Sequence, residues 1–344
     1  MSRNTRASAA LLTGALLLAA CSSDEPQTTP KASTKQRGPS GEPAPDPTCI
    51  DGSGAPEAKR ERPAVALKIE NSADARPQSG LDHADLVYEE MVEGGITRFM
   101  AVFHCGQSVK AGPVRSACFD DAKLALPFTR VLAYSGANSI VEKELDKRNV
   151  ATLTELSAGD AFFRVPAGSL DIHSLYANTE KIRAQAPKRA KPPREGAFSF
   201  GDLNDKAARA RKVTINFNAS NTIEYRWAKG SWRRHEAGKP FEMASGAQIA
   251  VPNLVIQQVR VDNSPKIVDP AGNPSPDIEL TGEGKALLFR DGKVVKGTWS
   301  VTREGRPPKF ETKAGDPFSF RPGPIWIELV PSGKGDVKGS FSFK

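Results

Sequence analysis

The chain has 344 residues, enough for two domains, and its 38% hydrophobic and 26% charged residues are an ordinary balance for a globular protein. A formal charge of +8 points towards nucleic acid or membrane, yet residues 181–212 alone hold ten Lys or Arg against three Asp or Glu, so the excess is local. Aromatic residues are sparse there, which removes a stacking platform for single strands, and no nucleic-acid partner is expected.

Arg3 and Arg6 precede an apolar run, Ala9 to Ala20, that is too short to span a bilayer and fits a signal h-region. It ends in Leu18-Ala19-Ala20-Cys21, which resembles a bacterial lipobox. That resemblance implies cleavage before Cys21 and lipid attached to its thiol. Residues 1–21 are therefore expected to be a lipoprotein signal. The chain is expected on the extracytoplasmic face of the cell membrane, with the membrane as a partner through Cys21. Residues 22–48 are rich in Pro, Ser and Thr and read as a disordered tether, with a reach of about 30 Å. No other segment is apolar enough to span.

Cys49, Cys105 and Cys118 remain, and outside the cytoplasm they allow one bridge and one free thiol. Cys49–Cys105 is favoured, because it would pin the start of the folded part to the end of a strand. Cys105–Cys118, closing a short loop, is the alternative. Zinc-site spacings are absent, and no cofactor or metal is expected.

Three short apolar runs follow: Ala64–Ile69, Ala84–Tyr88 and Ile96–Phe103, each read as a buried strand. Gly94-Gly95 turns the chain between the second and the third. Charged and polar groups gather where these runs end: Glu70, Asn71, Glu89, Glu90, Glu93, Arg98 and Arg115. Polar groups at strand ends are a common way to build a site on a rigid frame. Ser116 reads as the N-cap of a helix from Ala117 to Leu126, which would set Arg115 beside free backbone N–H donors, an arrangement suited to an anion. Pairing of Arg115 with a nearby glutamate is the plain structural alternative. Val131–Tyr134 reads as a strand, Asn138 as the cap of a helix to Arg148, Phe162–Val165 as a strand, and His173 as the start of a helix to Ala184. Strands alternating with helices predict an α/β domain over 49–184.

Residues 185–196 form a basic, Pro-rich linker, most simply a solvated surface connection, with anionic headgroups or wall polymers as its functional alternative. From Ala197 onward short β runs dominate, with Asp291-Gly292 as a hairpin turn. The predicted class is α+β: an N-terminal α/β domain followed by a β-rich C-terminal domain, 197–344. Trp299, Phe310, Phe318 and Trp326 are expected in its core rather than as a binding stripe.

The runs ALKIENSADARPQSGLDHADLVYEEMVEGGITRFMAVF, GPVRSA and HSLYANTEKI resemble the YerB-like bacterial lipoproteins, a two-part domain family of unknown function. GKALLFRDGKVVKGTWSVTREGRPPKFET and AGDPFSFRPGPIWIELVP resemble its C-terminal part. The family pattern usually carries Arg where Cys118 stands, Asn at Ser174 and Lys at Val301.

Three functions compete. A binding lipoprotein would hold an anionic or sugar-containing envelope ligand, or a protein partner, using Arg98, Arg115 and Arg164 for anions. Glu70, Asn71 and Glu89 would take hydroxyls or amines, and His173 either. A scaffold would have these charges paired and buried. An envelope hydrolase would use Glu89 or Glu90 as acid or base, His173 as base and Cys118 as nucleophile. No G-x-S-x-G elbow or metal cluster supports the third, so the reading leans away from an enzyme.

Overall fold

The computed structural model describes residues 48–203, 207–269 and 271–344. The expected signal segment, Cys21 and residues 22–47 of the expected tether lie outside the described residues. Each apolar run becomes a strand with both faces covered: β1 (Val65–Glu70), β2 (Leu86–Met91) and β3 (Thr97–Phe103). Runs without polar alternation have no face for water and must lie in the middle of a sheet. Gly94 and Gly95 both have positive φ (71° and 74°), which lets the chain reverse between β2 and β3.

The chain continues through α1 (Asp121–Ala125), β4 (Val131–Ala133), α2 (Ser139–Lys147), β5 (Ala151–Leu153), α3 (Glu155–Ala158), β6 (Phe162–Arg164), β7 (Leu175–Ala177) and α4 (Thr179–Ala184). Two expected helix starts are corrected. The helix expected from Ala117 begins at Asp121, and Ser116 does not cap it; the Ser116 carbonyl instead accepts from Arg98 Nη1 at 3.2 Å. The helix expected from His173 begins at Thr179. Residues 175–177 pair with β6 as a strand, and Ala177 exchanges backbone hydrogen bonds with Ala111. Asn178 supplies the cap, accepting from the amides of Glu180 and Lys181. Asn138 caps α2 in the same way.

The later strands are β8 (Lys212–Asn216), β9 (Thr222–Ala228), β10 (Ser231–Glu236), β11 (Asn253–Val259), β12 (Gly282–Arg290), β13 (Lys293–Val301), β14 (Lys309–Thr312), β15 (Ile325–Pro331) and β16 (Ser340–Phe343). Asp291 and Gly292 take positive φ (52° and 67°), closing the β12–β13 hairpin in the backbone form such turns favour.

Among the described residues, one 11-stranded sheet draws on both halves of the chain, in the order β14-β13-β12-β11-β15-β2-β3-β1-β4-β5, with Ala208–Arg209 alongside β13. The joint is β15, which runs parallel to β11 on one side and to β2 on the other. A second sheet, β10-β9-β8-β16 with two short added strands, packs on one face of the first. Residues from 48 onward belong to one compact unit. The architecture is α+β. Trp299, Phe310, Phe318 and Trp326 are all buried, and Phe310 stacks on Phe318 and Phe198.

Candidate functional site

Side chains alternate along a strand, so sequence neighbours on β2 face opposite ways. Val87, Glu89 and Met91 point towards the second sheet, and Leu86, Tyr88 and Glu90 point towards α1 and α2. Glu89 and Glu90 are therefore not one carboxylate pair. Each belongs to a separate buried cluster with its own cation.

On the first face, Arg234 of β10 reaches Glu89, with Nη2 3.1 Å from Oε1. Asn71 Nδ2 (3.1 Å) and Thr97 Oγ1 (2.7 Å) donate to the same carboxylate. Glu328 of β15 lies opposite Glu89 in the strand register, and its Oε1 accepts from the Tyr225 hydroxyl at 2.6 Å. Glu89, Arg234 and Glu328 are all fully buried. The guanidinium carbon of Arg234 sits 4.7 Å from the ring centre of Phe241. Burial first, and then the Glu89 charge, push Glu328 well above the usual carboxylate range. Its Oε2 has no hydrogen-bond partner among the described residues, a position an ionised oxygen would hold only at high cost.

The second face repeats the pattern. Lys68 Nζ donates to Glu90 and, at 2.7 Å, to Asp121 Oδ1, and all three side chains are buried. Burial opposes the charge of Lys68, but Asp121, Cys118 and Glu90 outweigh it and its pKa is raised. Burial lifts Glu90 well above its usual range, Lys68 opposes the shift and Asp121 adds to it. A buried cation held among two or more acids is the shared arrangement, and Arg234 also pairs with Glu236 at 3.3 Å.

At the edge of this second face lies a half-open cluster. Glu70 Oε2 takes His173 Nδ1 at 2.9 Å, and Oε1 takes the Ser72 hydroxyl at 2.9 Å and faces Arg115 Nε at 3.2 Å. Glu70 is 2% exposed, while Arg115 and His173 are 23% and 22% exposed. The terminal nitrogens of Arg115 have no hydrogen-bond partner among the described residues. Arg115 is not at a helix start, so the expected alliance with backbone N–H donors is absent. The expected residues thus divide. Glu70, Arg115 and His173 come together; Asn71 and Glu89 meet on the opposite face; Arg98 contacts Cys118 Sγ (3.1 Å) and Glu93 (3.8 Å). Arg164 is held by Glu155 at 2.7 Å and belongs to neither buried cluster. Cys49 and Cys105 form a disulfide with Cα atoms 5.9 Å apart. Cys118 is free and buried, and burial pushes its thiol up to about 12, which removes thiolate character at neutral pH.

The profile of the "Protein of unknown function (DUF3048) N-terminal domain" matches residues 52–192, and that of its C-terminal domain matches residues 213–327. The chain is 29% identical over 281 residues to a Bacillus subtilis (strain 168) protein named "Putative lipoprotein YerB", covering 79% of this chain and 82% of that relative. The crystal structure of YerB protein from Bacillus subtilis superposes with a TM-score of 0.70 at 28% identity, over 85% of this chain and 97% of that chain. The chain belongs to the YerB-like family.

In this YerB-like chain the cations of both buried clusters escaped the sequence reading, as did Glu328 and Asp121. The signal was present. Lys68 interrupts the otherwise apolar VALKI run of β1, and Arg234 alternates with Trp232 on the inward side of β10. A charge at a core position of a strand is rare unless it has a partner. No helix among the described residues is long and apolar enough to cross a membrane.

Proposed function

We propose that the chain is a lipid-tethered protein of the extracytoplasmic membrane face that binds an anionic envelope ligand without chemistry. The half-open guanidinium of Arg115 carries this reading: Glu70 holds its inner edge, and its terminal donors are left for a phosphate or carboxylate. His173, on the other oxygen of Glu70, offers a second polar contact beside it. Relationship to a protein named as a lipoprotein supports the tether through Cys21. The hydrolase reading lacks support. Glu89 is engaged by Arg234, Asn71 and Thr97, His173 is engaged by Glu70, and Cys118 is a buried neutral thiol.

A scaffold reading draws on one observation: Glu89, Arg98 and Arg164 all have partners within the chain. A thermal-shift titration with a sugar phosphate separates the two. Binding at Arg115 raises the melting temperature of the unaltered chain and not that of Arg115→Ala. No rise in the unaltered chain, together with a loss of more than about 2 kcal/mol in Arg115→Ala, a size typical of a broken structural charge contact, makes Arg115 structural and favours the scaffold.

A further inference from the structure

A cavity of about 700 Å³ lies away from these clusters. Four segments wall it: the loop after α1, the end of α2, the basic linker, and the β13–β14 loop. Eight cationic side chains line it, six of them Arg, against a single carboxylate, Glu304. That carboxylate is already engaged. Arg148 donates from Nη2 to Glu304 Oε2 at 3.1 Å and also pairs with Glu144, which ties the end of α2 to the β13–β14 loop. Among the described residues, Arg189, Lys191, Arg194, Arg303 and Arg306 have no ion-pair partner. A concave wall of unpaired like charges raises the local anion concentration and is relieved by a multivalent anion.

We infer that this cavity binds a segment of a phosphodiester polymer, a site separate from Arg115. Guanidinium groups suit phosphate because they present parallel donors to two of its oxygens, and several such groups in one cleft fit repeated charges along a chain. Recognition through base stacking is not provided for, since Phe128, the aromatic residue of the lining, is 3% exposed and stacked on Phe198. A bilayer surface fits less well. The site is concave, and none of the exposed large apolar side chains, such as Leu156, Leu170 and Ile172, lines it to enter the acyl region. The fold prepares the cavity. Pro127, Pro192 and Pro193 limit the backbone freedom of two of its walls, and Arg148 braces the others.

Isothermal titration of the full chain carrying Cys21→Ser with linear polyphosphate tests this. Binding weakens about tenfold or more between roughly 50 and 200 mM salt, as expected when a few cations release counterions from a polyanion. Arg303→Ser with Arg306→Ser lowers affinity at least about tenfold at unchanged melting temperature, since each phosphate contact contributes to the salt-dependent term. Arg226→Ser, outside the cavity, leaves the affinity unchanged. The inference is overturned if the double variant binds polyphosphate normally, if Arg115→Ala abolishes binding, or if polyglutamate binds equally well. It is overturned equally if vesicles containing phosphatidylglycerol bind as tightly as polyphosphate and lose that binding in the double variant. Because Arg115→Ala is tested in the same series, failure at the cavity and failure at the Arg115 edge are read separately.

Discussion

Charge is handled in opposite ways in two regions of this molecule. Inside the sheet, Lys68 and Arg234 each sit among two or more acids, and Glu89, Glu90, Asp121 and Glu328 are all out of water. In the basic cavity, eight cations face one carboxylate that Arg148 already holds. The interior arrangement is closed and has nothing left to offer a ligand. The cavity is open, and its Arg189, Lys191, Arg194, Arg303 and Arg306 have no ion-pair partner among the described residues. Burial alone therefore does not identify a functional charge; what decides is whether its partners are internal.

The sharpest break of this contrast is Arg234→Met, which leaves Glu89 and Glu328 buried without a cation. Removing one side of a buried ion pair costs about 3–5 kcal/mol, and urea unfolding should show a loss of that size. Adding Glu89→Gln should recover part of it, and a loss below about 1 kcal/mol would place the cluster among exposed pairs of little weight.

A smaller effect comes from two further interior acids. Asp85 and Asp120 are pushed up to about 6, mainly by burial, with Asp51 adding to the shift of Asp85 and Lys123 opposing that of Asp120. Their folded values lie above the unfolded ones, so the stability they contribute is complete below about pH 4 and is lost as the pH rises through about 6. Each should add about 1 kcal/mol between pH 7 and pH 5, read by urea unfolding at the two values. Asp120→Asn should remove its share of that gain. An equal gain in the variant would mean that other groups drive the pH response.

The smallest effect should be in the cavity. Arg303→Ser with Arg306→Ser should change folding stability by less than about 0.5 kcal/mol, as surface changes without packing partners do. A marked gain in stability would instead measure the repulsion that the open charges impose. A marked loss would show that these arginines are structural.

The first three strands were legible because short, mostly apolar runs such as FMAVF leave no face for water and must be buried on both sides. The Asn138 cap and the Asp291-Gly292 turn were legible because their chemistry is local. The segment from His173 to Asn178 misled because Leu-Tyr-Ala has no fixed preference, and its strand form depends on β6 and on Ala111, which lie elsewhere in the chain. The charge clusters failed to appear for the same reason. Arg234 is 145 residues from Glu89, and no local pattern announces that pairing. Likewise, the basic linker reads as a run of charge, and only the fold adds Arg303 and Arg306 to it to make a cavity.

The position of β15 has a consequence for biogenesis. The strand that joins the two halves of the sheet, Ile325–Pro331, is synthesised after both of the strands it pairs with. Until it emerges, β2 and β11 each present an open edge of unpaired N–H and C=O groups. A nascent or prematurely terminated chain is thus vulnerable at its centre rather than at its end. Quality control that recognises exposed strand edges would reject a product truncated before Ile325, even with every ligand-facing arginine in place.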